Sequence, residues 1–159
     1  MKERVLVVED NAFNLEMLSD WLFLQDYEVT SATTLSDAMT SVENARPDIV
    51  LLDVLLGADD GLSLATWLRK HHSLRQIPVI AVTAHAMVTE RERILQAGCN
   101  ACISKPIEFR LLQEQIRKWL VIAVLLKSGG DPLLALPGDP SLRIREGDQH
   151  GEQDSGSGR

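Results

Sequence analysis

Positive charge is in deficit: 16 Lys and Arg stand against 23 Asp and Glu, for a formal net charge of −7. That sign argues against a nucleic-acid surface and against attraction to anionic lipid. Long apolar runs are missing too. The longest, Trp119 to Leu126, is too short to span a bilayer, so no membrane association is expected. No N-terminal export signal is visible, because Met1-Lys2-Glu3-Arg4 leads straight into a strand-like run. Cysteine is scarce, with two residues, which together with the missing signal fits a reducing cytoplasm. Cys99 and Cys102 form a C-x-x-C, but a redox pair of this kind follows a strand and opens a helix, whereas this one follows Gly98 and leads into a strand. A zinc site would need two further ligands, and His71, His72, His85 and His150 offer no matching spacing. The two thiols read as small, partly buried side chains.

What is present is ordinary in bulk and specific in pattern. The 159 residues suffice for one domain with a proper core, and 45% apolar with 25% charged residues suits a globular protein. The organising stretch is Ile49-Val50-Leu51-Leu52-Asp53, a short apolar run ending on a carboxylate. Such a run predicts a strand buried on both faces, as in the middle of a parallel sheet. Three other runs end on polar residues of complementary chemistry. Val5 to Val8 leads into Glu9-Asp10, Val79 to Val82 into Thr83, and Ala101 to Ile103 into Ser104-Lys105.

Amphipathic stretches alternate with these runs. Asn11 to about Gln25 shows helical spacing at Phe13, Met17, Leu18, Trp21 and Leu22. Tyr27 to Ser31 is a less apolar strand expected near a sheet edge. Thr34 with Asp37 resembles a capping box opening the second helix. Gly57 to Gly61 reads as a turn before the third helix, the fourth runs from about Val88 to Gly98, and the last starts near Ile107. Five strands alternating with five helices predict a doubly wound α/β fold, flavodoxin-like, with a five-stranded parallel sheet in the order 2-1-3-4-5. Its switch point places Glu9-Asp10 and Asp53 across one crevice, with Thr83 and Lys105 arriving on the same rim. The expected domain covers 1–127, with its core at about 4–120 and its last helix extended to about 127. From Ser128 the composition turns to Gly, Pro, Ser and Asp, and 128–159 reads as a disordered tail.

Three carboxylates in one crevice repel each other by roughly 1 kcal/mol per pair at 4 Å in water and about four times that near a protein surface. They call for a cation, and an all-oxygen set with room for water suits Mg2+. Asp53 would then be both ligand and nucleophile, since a carboxylate can attack phosphorus to give an aspartyl phosphate. Thr83 supplies a hydroxyl and Lys105 a point charge for phosphoryl oxygens. Each residue has a plainer alternative: Asp10 and Asn11 as helix caps, Thr83 as a strand residue, Lys105 as a solvated lysine. Convergence of all five on one rim favours a site.

From about Val5 to Leu120 the chain resembles a receiver domain of two-component response regulators, of the stand-alone type. The marks are Glu9-Asp10-Asn11, Asp53 with Gly61 eight residues on, Thr83-Ala84-His85-Ala86, and Ser104-Lys105-Pro106-Ile107. The resemblance implies that Asp53 accepts a phosphoryl group from a histidine kinase or phosphotransfer protein, in a phosphorelay. It implies that Asp10, Asp53 and the backbone carbonyl of Leu55 bind Mg2+ directly, with Glu9 acting mainly through water. Thr83 and Lys105 would engage the phosphoryl group, and Lys105-Pro106 would be cis. A kinase would dock on the first helix near Phe13, Asn14 and Met17. A downstream protein would read the face of the fourth helix, fifth strand and fifth helix. Such a protein catalyses only its own phosphorylation and dephosphorylation.

Departures from the family pattern carry expectations of their own. Gly57 replaces a usual Pro, which predicts a looser loop. Cys102 replaces the switch aromatic. The run Val121 to Leu126 is more apolar than a domain end needs. The rival enzyme class, an aspartate-nucleophile phosphatase, carries a second Asp two residues after the nucleophile, where this chain has Leu55. A nucleotide- or flavin-binding module shares the fold, but Glu9-Asp10-Asn11-Ala12 is no glycine-rich phosphate loop. A degenerate receiver serving as a binding platform is disfavoured by the intact acidic set.

Overall fold

Strands form where the apolar runs were read, and they are buried because helices cover both faces of the sheet they build. The computed structural model describes residues 2–129. In chain order the elements are β1 (Arg4–Val8), α1 (Ala12–Leu24), β2 (Glu28–Ala32), α2 (Leu35–Asn44), β3 (Ile49–Asp53), β4 (Leu55–Leu56), β5 (Asp59–Asp60), α3 (Leu62–Lys70), β6 (Val79–Thr83), α4 (Val88–Gln96), β7 (Ala101–Ser104) and α5 (Phe109–Lys127). The main sheet runs β2-β1-β3-β6-β7 with every pairing parallel. With the β4–β5 hairpin set aside, this is the expected 2-1-3-4-5 order. β3 and β6 are buried at every position, whereas β2, on the edge, is mostly exposed.

Period-two alternation sorts the strand residues between two cores. Leu6, Val8, Val50, Leu52, Val79 and Ala81 face α2, α3 and α4. Val5, Val7, Ile49, Leu51 and Ile80 face α1 and α5, meeting Leu18, Leu22, Leu112 and Ile116. A fully buried leucine of this kind contributes about 1.5–3 kcal/mol. Thr34 caps α2 by accepting the Asp37 N–H at 3.0 Å, as the capping signal predicted. Asn11 caps α1, accepting the Asn14 N–H at 3.0 Å, so the plain capping role applies to Asn11 and leaves Asp10 free for other work.

The structure differs from the sequence reading in three places. In α1, Leu15 joins Leu18, Trp21 and Leu22 in the core, while Phe13 (73% exposed) and Met17 point outward. That helix is apolar around much of its circumference, so spacing alone did not define its inner face. Gly57–Gly61 is not a simple turn: Leu55–Leu56 and Asp59–Asp60 pair as a small antiparallel hairpin. α5 begins at Phe109 rather than Ile107.

At the end of the sheet away from the strand termini that carry the site, the Arg69 guanidinium is enclosed by oxygen acceptors. It donates to the carbonyls of Gly98 (2.9 Å), Arg75 (2.7 Å) and Ile77 (2.7 Å) and to Asn100 Oδ1 (2.8 Å). Asn100 Oδ1 also accepts the Val79 N–H at 2.8 Å. Gly98, at φ +112°, passes so close that a Cβ would meet Arg69 Cγ at 2.7 Å. The chain divides into two units, Met1–Ala123 and Val124–Arg159, and the site lies in the first. Among the described residues no helix is long and apolar enough to cross a membrane. The disorder expected of 128–159 concerns residues that, beyond Gly129, lie outside the described ones.

Candidate functional site

The parallel ladders deliver each strand's last side chain to one rim. The Glu9 N–H donates to the Ala32 carbonyl at 3.0 Å, extending the β1–β2 ladder by one residue. Val54 N–H donates to Val82 O (3.2 Å), and Lys105 N–H to Thr83 O (2.8 Å), so β3, β6 and β7 end in step. Glu9 (2% exposed) and Asp53 (8% exposed) are thereby sunk in the crevice, while Asp10 stands at its exposed edge. One carboxylate oxygen from each of the three lies within 4.8 Å of the others. Between them sits Lys105, whose Nζ is 3.3 Å from both Glu9 Oε1 and Asp53 Oδ2. The crevice measures about 310 Å³ and also takes its walls from Asn14, Leu55 and Thr83.

Electrostatics follow from that crowding. Burial, then the hydrogen bond and charge of Asp53, push the Glu9 carboxyl up to about 7, against the opposing Asn11 N–H and Lys105. Burial works against the Lys105 charge, but Asp53 and Glu9 outweigh it and hold the ammonium above its ordinary value. The donor set therefore fits a hard divalent cation: it is all oxygen, concave, and carries three carboxylates against one lysine. Among the described residues it is the one such cluster of three acidic, His or Cys ligands.

Local contacts refine the remaining residues. Thr83 is buried, and its hydroxyl closes a turn with His85, accepting the His85 N–H at 3.1 Å and donating to its carbonyl at 3.3 Å. It lies at the crevice with its hydroxyl engaged by its own loop. Leu55 gives its N–H to Asp53 Oδ1 (3.2 Å) and leaves its side chain 60% exposed at the mouth. Pro106 follows Lys105 through a cis peptide bond, as the resemblance implied. Phe13 and Met17 present an apolar exposed flank on α1 beside Asn14. Gly61 must be glycine, since a Cβ there would run into the backbone carbonyl of Asp53. Cys102 pairs in register with Ala81 and packs, half-buried, against the α2–α3–α4 core. Burial raises both thiols, Cys99 to about 12, which suits packing and not thiolate chemistry.

The loop expected to be loose is fastened. Gly57 adopts φ +58° and donates its N–H to Asp10 Oδ2 at 2.9 Å. Proline could neither reach that φ nor make that bond. Sequence reasoning missed this contact and a second one, in which Arg93 Nη1 of α4 meets Asp60 Oδ2 at 2.9 Å. A glycine with a turn signal hinted at the first; no local pattern pointed to the second.

Comparison with known proteins agrees with this geometry. The family model described as "Response regulator receiver domain" matches residues 5–117. The polar-differentiation response regulator DivK of Brucella anthropi is 40% identical over 120 residues, covering 76% of this chain and 98% of that protein. The DivK protein of Brucella melitensis is 39% identical over the same length and shares. Among solved structures, a CheY-like receiver domain protein from Methanospirillum hungatei superposes with a TM-score of 0.71 at 28% identity, covering 77% of this chain and 97% of its own. The receiver domain of a signal transduction histidine kinase from Syntrophus aciditrophicus gives 0.69 at 29%, covering 75% and 90%. With its acidic crevice, parallel sheet order and matched length, the chain belongs to the response regulator receiver domain family of two-component phosphorelay signalling.

Proposed function

We propose that Asp53 is the phosphoryl acceptor and that Lys105, Thr83 and the neighbouring carboxylates prepare it for attack. The observation that carries this is Lys105 Nζ, equidistant at 3.3 Å from Asp53 and Glu9 beside the three-carboxylate cluster. An Asp53 oxygen attacks the phosphorus of a donor phosphohistidine, the P–N bond breaks, and the freed imidazole takes up a proton. Lys105 neutralises phosphoryl oxygens, and Thr83 turns its hydroxyl from His85 toward them. Asp10, Asp53 and the Leu55 carbonyl would hold Mg2+, with Glu9 acting mainly through water, and the ion would supply charge neutralisation to a phosphate. Phe13, Asn14 and Met17 receive the kinase or phosphotransfer protein beside the crevice. Downstream protein partners read α4, β7 and α5, with Cys102 and Pro106 on the connecting strand and loop.

Turnover of foreign phosphate esters is not expected, because Leu55 places a hydrocarbon where the phosphatase class places its general acid. The test is incubation with acetyl phosphate followed by intact-mass analysis. One phosphoryl group should appear with Mg2+ and none in excess chelator. Equal labelling of Asp53→Asn would overturn the assignment.

A further inference from the structure

We infer that the β4–β5 hairpin mechanically couples the acidic crevice to α4, through Gly57–Asp10 at one end and Asp60–Arg93 at the other; this rests on the proposed role of the crevice. The hairpin begins two residues beyond Asp53, and its ladder pairs Leu55 with Asp60 and Leu56 with Asp59. Its crevice end is fixed by the Gly57 N–H on Asp10 Oδ2 at 2.9 Å. Its far end is fixed by Asp60, whose Oδ1 accepts the Leu62 N–H at 3.0 Å while Oδ2 accepts from Arg93 at 2.9 Å. Arg93 is itself steadied within α4 by Glu90, at 2.9 and 3.3 Å.

An exposed ion pair of this sort contributes little to global stability. Its value here is positional. Asp60 is already oriented by the start of α3, so Arg93 meets a preset carboxylate instead of ordering a free one. Any shift of Asp10 that moves Gly57 is transmitted across a two-rung ladder to the last turn of α4. The same chain carries only a thiol at Cys102, half-buried on β7, with far less contact area than an aromatic ring to carry movement along that strand. Hairpin and helix therefore share work that a ring on β7 would otherwise do. A coupling claim needs two sites whose equilibria bias each other, and reciprocity makes it measurable from either side.

The experiment uses the 15N-labelled full chain with Mg2+ and with Mg2+ plus beryllofluoride, in the parent and in Asp60→Asn, Arg93→Gln and Arg93→Lys. Both positions are exposed, and Asn keeps the oxygen that accepts the Leu62 N–H, so folding is preserved. Amide shifts of Leu55 and Ala84 report the crevice, and those of 88–96 report α4. The expected result is a crevice response in all four proteins, with the α4 response cut by about half or more in Asp60→Asn and Arg93→Gln and retained in Arg93→Lys. By reciprocity, Mg2+ affinity should differ from the parent's by about two- to fivefold in the two uncoupled variants and match it in Arg93→Lys. A normal crevice response with an undiminished α4 response in Asp60→Asn and Arg93→Gln would overturn the coupling and leave the reading of the crevice standing. Absence of any crevice response in the parent would overturn that reading, and the coupling with it.

Discussion

Replacing Asp53 by Asn should stabilise the metal-free protein, although it removes the residue on which function depends. At an effective dielectric of about 20, Lys105 at 3.3 Å attracts the Asp53 carboxylate by about 5 kcal/mol. Once ionised, above about pH 7, Glu9 within 4.8 Å repels it by roughly 3.5 kcal/mol, and exposed Asp10 by about half as much. These nearly cancel. Asp53 is also 8% exposed, and holding a charge in a crevice short of water carries its own cost. Asn carries no such cost, still accepts the Leu55 N–H, and leaves Lys105 its partner Glu9. At pH 8, with Glu9 ionised, a gain of about 1–2 kcal/mol is expected, or roughly 4–8 °C in Tm. The gain should grow with pH. Glu9 keeps its proton to about 7 in the folded state and to 4.5 when free. The folded parent therefore binds more protons in that window, and its stability falls as pH rises through it. Burial is the first cause of that shift and remains in the variant, but the contributions from Asp53 do not, so the decline should be shallower. Thermal unfolding in chelator at pH 6 and 8, then with Mg2+, is the assay. At about 100 times its dissociation constant Mg2+ should add about 2.7 kcal/mol to the parent and much less to Asp53→Asn, reversing their order. A variant less stable than the parent in chelator at pH 8, or equally stabilised by Mg2+, would contradict this balance of charges.

Other perturbations follow from single contacts. Arg69→Met should cost about 3 kcal/mol or more in denaturant unfolding, because several buried acceptors lose their donor at once, and Arg69→Lys should recover only part, lacking the fork. Leu55→Asn should shorten the lifetime of the phosphoryl group in an intact-mass time course, since an apolar side chain at the crevice mouth does not orient the attacking water; equal or slower loss from the variant would count against this. Cys102→Tyr should widen the affinity difference of an α4–β7–α5 partner between the beryllofluoride-bound and free states, and no widening would show that the thiol already serves as a full switch.

The sheet was legible because β1, β3 and β6 are buried on both faces and leave unbroken apolar runs, each closing on a polar residue. The site was legible for the same reason, since strand ends fix where Glu9, Asp53, Thr83 and Lys105 arrive. Contacts made by backbone left no such trace. Arg69 is held chiefly by carbonyls, and the Asp10 carboxylate by the Gly57 amide, groups that every residue carries. The β4–β5 hairpin has two residues per strand, too short for any period to show. Phe13 and Met17 matched the helical spacing yet face outward, because α1 has more apolar residues than its buried face can take.

Chemical trapping of the acyl phosphate tests the central assignment most directly. After exposure to acetyl phosphate and Mg2+, borohydride reduces an aspartyl phosphate to homoserine, and peptide sequencing by mass spectrometry locates it. Homoserine is expected at position 53 alone, and absent when chelator replaces Mg2+. Homoserine at position 10 or another acidic position, or equal yield at 53 in chelator, would contradict it.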